Sequence, residues 1–159
     1  MSIKSCKGII ISLLVIGVLC PRFLYAFGLK TGFGKVVLEN VPMGKEYSMS
    51  KDSKFPLVIK NESDKEINLK VEVLVPEISE VQEGYEAIPD ASWVTLEKDS
   101  FIIEPNGEAE TDVIIHIPYD KDYPGRKFHV FIWSHTIGDS IGVGIKSKLL
   151  FNVGAGDAR

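Results

Sequence analysis

The sequence predicts an all-β protein, a single antiparallel sandwich of about eight or nine short strands, and three observations carry that expectation. Apolar residues fall on alternate positions in run after run, as in Ile67, Leu69, Val71, Val73 and Val75 with Asn68, Lys70 and Glu72 between them. This is the period of a strand buried on one face, whereas a helix would scatter the same valines around its circumference. Turn residues separate the runs at short, regular intervals, and no stretch of the exported portion shows the period of an amphipathic helix.

Before the first strand comes a leader. Residues 1–7 carry Lys4 and Lys7 and no acid, residues 8–19 are apolar or small without interruption, and Leu24-Tyr25-Ala26 offers a small residue for cleavage. That layout is a secretory signal peptide over 1–26, and its apolar run is shorter than the roughly 20 residues needed to span a bilayer. Cys20 follows the apolar box, but Leu19 before it is too bulky for a lipidation motif. Both cysteines, Cys6 and Cys20, fall in the leader, which leaves the rest without a disulfide or thiolate metal site. The whole chain has 159 residues and a net charge of −4; removing 1–26 takes Lys4, Lys7 and Arg22, leaving 15 basic against 22 acidic side chains, a net of −7. An acidic surface of that kind disfavours nucleic acid and anionic membrane as partners, and the exported portion is expected to be periplasmic or secreted.

Taken in order, residues 27–34 read as a glycine-rich flexible lead-in, and the sandwich domain occupies 35–153 with a tail at 154–159. Residues 35–41 form a first strand, the turn 41–44 contains Pro42 and Gly44, and 46–50 form a short polar strand. Residues 55–76 read as a hairpin, with Phe55, Leu57 and Ile59 on one arm, the 67–75 run on the other, and Asn61-Glu62-Ser63-Asp64 as its turn. Residues 77–92 lose the alternation and form a long acidic surface loop with room for one helical turn, long enough to cross between sheets. Strands resume at 93–96 and 100–104, turn at Pro105-Asn106-Gly107, and continue with Thr111, Val113, Ile115 and Ile117. After a polar loop, 128–133 is apolar on both faces, as in a central strand, and 141–153 alternates as the longest and last strand.

Few side chains suggest chemistry. His116 and His129 can be brought together only by adjacent strands, and no short ligand spacing supports a metal. Asp120 and Asp122 supply too few oxygens for a calcium loop, and nothing places two of Glu83, Glu86 and Asp90 across a cleft for glycoside hydrolysis. No nucleophile with a base and no phosphate loop appears, so an enzyme is not expected and no cofactor is implied. Trp133, with Tyr85 or Tyr123, offers an aromatic platform for a carbohydrate, and Trp93 is expected inside the sandwich. Asn61-Glu62-Ser63 matches a glycosylation sequon.

The segments LVIKNESDKEINLKVEV, WVTLEKDSFIIEPNGEAETDVIIHIP, FHVFIW and IGVGIKSKLLFNV, in that order, resemble the N-terminal immunoglobulin-like domain of periplasmic pilus chaperones. More loosely, they resemble major-sperm-protein-like sandwiches. The resemblance implies an immunoglobulin-like sandwich whose last strand completes a pilus or envelope subunit by β-strand addition. It implies Ile141, Val143, Ile145 and Leu149 as the partner-facing side chains. It also implies Lys35 with Lys146 or Lys148 as the basic pair that holds a partner's terminal carboxylate. Because the chain ends at Arg159, just after the last strand, the second domain of that family is expected to be absent. Beside this reading stand a structural or adhesive envelope module without a client, and a carbohydrate-binding module.

Overall fold

The computed structural model describes residues 28–138 and 142–154, so the leader lies outside the described residues. The strands in order are β1 (Leu29–Thr31), β2 (Lys35–Val41), β3 (Glu46–Ser48), β4 (Leu57–Asn61), β5 (Ile67–Leu74), β6 (Glu86–Ala87), β7 (Val94–Leu96), β8 (Ser100–Ile103), β9 (Glu108–Thr111), β10 (Val113–His116), β11 (Lys127–Thr136) and β12 (Gly144–Val153). One layer is a sheet of order β2-β12-β11-β5-β8, with β6 added in parallel to β11. The other consists of β1-β4-β9 and β3-β10-β7, laid end to end along the strand that Asp112 divides into β9 and β10. An all-β sandwich results, as the alternation predicts.

Parity explains the core. Leu57 and Ile59 from one layer meet Ile67, Leu69, Val71, Phe128, Val130, Ile132, Leu149, Phe151 and Val153 from the other, all buried in one cluster. Trp93 lies inside, edge-on to Phe128 at 5.5 Å and to Tyr123 at 5.1 Å. As expected of a central strand, β11 is paired on both sides, by β12 and β5.

The expected hairpin is not formed. β4 pairs with β1 and β9, while β5 pairs with β11 and β8, so residues 62–66 arch from one layer to the other. Alternation is the same for a hairpin and an arch; the five-residue connection, long enough for the roughly 10 Å between stacked sheets, permits the arch. Asn61 stabilises it. Its buried Nδ2 lies 2.7 Å from the carbonyl of Lys65 and 3.1 Å from those of Ile103 and Glu104, and its Oδ1 accepts from the Ser63 amide at 2.9 Å. The sequon asparagine is therefore 1 % exposed, with its amide already engaged.

Three further expectations change. The lead-in contains β1, which backs β4 through the Gly32 amide and Val58 carbonyl as well as its own register. The polar strand expected at 46–50 is β3 and ends at Ser48, whose hydroxyl accepts from the Lys51 amide and starts the single turn α1 (Met49–Asp52). The last strand starts at Gly144 rather than 141 and matches β11 in length at 10 residues.

Asp112 fixes the break in the second layer. Its carboxylate accepts from the Ser48 hydroxyl at 2.5 Å and the Ser50 amide at 2.9 Å, tying the helical turn to the divided strand. Burial alone would raise this carboxyl, but the hydrogen bonds from Ser48 and then Ser50 outweigh it and hold it below the usual range. Replacing Asp112 with alanine is expected to cost about 2–4 kcal/mol in urea unfolding, since hydrogen bonds to a charged group are lost and their donors stranded. Because the folded-state pKa lies below the unfolded value, the stabilisation is full above about pH 4 and is lost as pH falls below that, a slope D112A should lack. Asn61→Ala should cost about 1–3 kcal/mol in the same assay, by leaving the arch carbonyls unpaired.

Candidate protein-interaction site

The N-terminal strand does not stay with one layer. β1 backs β4, the chain crosses at Gly32-Phe33-Gly34, and β2 then runs parallel to β12 from Lys35 opposite Lys148 down to Val41 opposite Val153. Phe33 is buried at the crossing, its carbonyl accepting from the buried Ser147 hydroxyl at 2.8 Å. The last contact of this edge is the Lys148 amide donating to the Gly34 carbonyl at 2.9 Å. Beyond it, among the described residues, no strand pairs with the outer side of Gly144 to Ser147, although β1 passes close to β12 on its way to β4.

Strand geometry says which groups are left open. Backbone N–H and C=O groups of alternate residues face the same side of a strand, so Lys146 and Gly144 present theirs in the direction Lys148 uses to reach Gly34. The Thr136 amide bonds the Val143 carbonyl at 2.9 Å, which puts the odd positions on the β11 side, as this alternation requires. β12 is therefore covered along its second half and open along its first.

The proposed partner-facing residues divide in the same way. Val143 and Ile145 are half-buried beside the open edge. Leu149 is fully buried in the core and cannot face a partner, a correction that follows from β2 covering that half of the strand. Ile141 lies outside the described residues. On the outer face, Lys35 and Lys148 are direct neighbours in the parallel register, and Lys146 follows two residues along. Lys146 Nζ lies 3.2 Å from Glu80 Oε1 and 5.2 Å from the Phe131 ring, and Lys148 Nζ lies 3.4 Å from Gln82 Oε1.

Alternation could not show what covers this face. Residues 77–88, expected as a surface loop, form a strap across the sheet, with a 3-10 turn at Ile78–Glu80 and β6 paired to β11. Beneath it His129 is completely buried rather than exposed; its Nδ1 accepts from the Gln82 amide at 3.2 Å, and its carbonyl accepts from Ile88 at 3.0 Å. His116 is exposed on β10 in the other layer, so the two histidines do not meet. Hydrogen bonds from Lys146 and then from the Glu77 backbone hold the Glu80 carboxyl below its ordinary range. Two other acids of this segment serve structure: Glu86 pairs with Arg126, and Asp90 accepts from the Ser92 amide.

The aromatic side chains do not assemble one platform. Tyr123 packs inside against Trp93, while Trp133 lies on the outer face, stacked on His135 at 3.9 Å. His135 is in turn 2.8 Å from Glu72. A Cβ at Gly144 would fall 2.8 Å from Trp133 Nε1, so glycine lets the indole lie against the open end of β12.

No family model matches the chain, and no curated protein sequence matches it. Solved structures do. A PapD-like domain of human CEP192 superposes with a TM-score of 0.56 at 10% identity, covering 79% of this chain and 84% of that one. The fold resembles that of PapD-like domains. The Salmonella enterica SafA pilin in complex with the SafB chaperone gives 0.54 at 15% identity, over 82% of this chain and 56% of that one. A putative carbohydrate binding protein from Bacteroides ovatus gives 0.56 at 16% identity, over 79% and 37%. The chain thus spans about half the length of the matched chain in the pilin–chaperone complex. At these identities the likeness is one of fold, an immunoglobulin-like sandwich shared with periplasmic chaperone domains.

Burial first, then the nearby charges of Lys148 and Lys35, lowers the pKa of His129 despite the opposing effect of Glu80. Below the unfolded value of about 6.5 the unfolded chain takes a proton that the folded one resists, so stability should fall as pH drops from 7 to 5. His129→Leu should flatten that slope in denaturant titrations, whatever its effect at pH 7.

Proposed function

We propose that the chain is a non-enzymatic, extracytoplasmic protein-binding module that takes up an extended segment of a partner at the open half of β12. The observation that carries this reading is the end of β2 coverage at Lys148, which leaves the backbone groups of Lys146 and Gly144 facing outward. An added strand would pair with those groups, place its inward side chains beside Val143 and Ile145, and carry its outward ones past Lys146. Lys35 and Lys148, side by side, with Lys146 two residues along, would receive a carboxylate of the partner as point charges. The PapD-like fold and its recurrence in structures of pilus chaperones support a protein partner, such as a pilus or other envelope subunit. Placement outside the cytoplasm rests on the layout of residues 1–26. Among the described residues, no helix is long and apolar enough to cross a membrane.

Edge strands tolerate proline where the missing amide would face outward, so Lys146→Pro removes the open donor while sparing the ladder to β11. K146P should fold with a near wild-type urea midpoint, yet lose capture of envelope proteins in pull-down, as should Val143→Glu with Ile145→Glu. In the free protein the Lys146 amide should exchange with solvent much faster than the Lys148 amide, and become protected when a captured subunit is bound. Unchanged capture by both variants would exclude this edge.

A further inference from the structure

The strap is unevenly attached. Its second half is held by β6 in the β11 ladder, by the Ile88 amide on the His129 carbonyl at 3.0 Å, and by the Arg126–Glu86 ion pair. Its first half bonds the sheet through three contacts: Glu80 to Lys146 at 3.2 Å, the Gln82 side chain to Lys148 at 3.4 Å, and the Gln82 amide to His129 Nδ1 at 3.2 Å. Ile78, the apolar residue of the 3-10 turn, points away from the core and is 94 % exposed. The Lys146–Glu80 pair is itself open to water, with side-chain exposures of 46% and 37%. An ion pair of that kind contributes little and is readily exchanged.

What this weakly held half engages are two of the three ammonium groups beside the open edge. Lys35 makes no ion pair among the described residues. We infer that residues 77–82 act as a competitor within the chain, with the Glu80 carboxylate and Gln82 amide occupying Lys146 and Lys148 until a partner's carboxylate displaces them. The inference rests on the strand-addition reading and adds its regulation. A segment that brings a carboxylate to these lysines must break the Glu80 and Gln82 contacts, whereas one without it pairs with the backbone edge and leaves them in place. Pinning at β6 means that displacement needs only the first half of the strap to lift.

A labelled short peptide of alternating valine and threonine, with either a free carboxylate or an amide at its C-terminus, tests this by fluorescence anisotropy. The free-acid peptide should bind wild type and bind Glu80→Gln about two- to fivefold more tightly, the scale of an exposed ion pair released from competition. The amidated peptide should bind both proteins alike, and K146P should bind neither peptide. Without peptide, E80Q should speed hydrogen exchange at the Gln82 amide but not at the Ile88 amide. If wild type binds and K146P does not, yet E80Q leaves the free-acid affinity unchanged or weaker, the competitor role is overturned and the edge reading stands. If K146P binds as wild type does, or wild type does not bind at all, both are overturned.

Discussion

A sandwich of two sheets has more edges than one short N-terminal segment can cover, and how that segment is shared decides the rest of this molecule. Its first three-residue strand backs β4 and the seven-residue strand after the crossing backs β12, with Phe33 buried where the chain passes between the layers. The Ser147 hydroxyl holds the Phe33 carbonyl at that crossing. Covering one layer with β1 is what uncovers the first half of β12, because the same residues cannot pair with both. An exposed edge is an aggregation liability, and the devices usually found on such edges, lysines and a short unpaired length, are present here.

Buried polar groups sit where the backbone leaves a sheet. Asn61 holds the arch between β4 and β5, Asp112 the break between β9 and β10, and His129 the strap over β11. Asn61 and Asp112 have partners that an apolar residue of the same size could not satisfy, so each costs stability when truncated, while His129 is engaged at Nδ1 and buried without a partner at Nε2. The long apolar strands would stack in several registers on hydrophobicity alone; these polar contacts at the corners define which one is adopted. Residues 27–159 contain no cysteine to reinforce them, so packing, the strand ladders and these few hydrogen bonds carry the fold.

Period-two alternation told which side chains face the core, and it did so nearly everywhere, from Leu57 to Val153. It could not say which strands are neighbours. The 55–76 stretch shows why: Leu57, Ile59, Ile67 and Leu69 would be buried whether the two arms paired or faced each other across the core. The acidic 77–92 segment hid its role for a different reason, since its attachment comes from single side chains and two residues of parallel pairing that leave no periodic trace. β1 was obscured by the glycines on either side of it. The adjacency of Lys35 and Lys148, implied at first by resemblance alone, is a product of parallel pairing between strands more than a hundred residues apart. No local pattern records that.

The buried amide of Asn61 has a consequence for how the protein can be made. An oligosaccharide transferase needs the asparagine nitrogen free and the surrounding chain extended, whereas here that nitrogen lies among three carbonyls inside the arch. In a host that glycosylates nascent secreted chains, sugar attachment and closure of the arch would exclude one another. Material carrying a glycan at that position would thus be a chain that had failed to close, and a host that leaves such asparagines unmodified avoids the contest altogether.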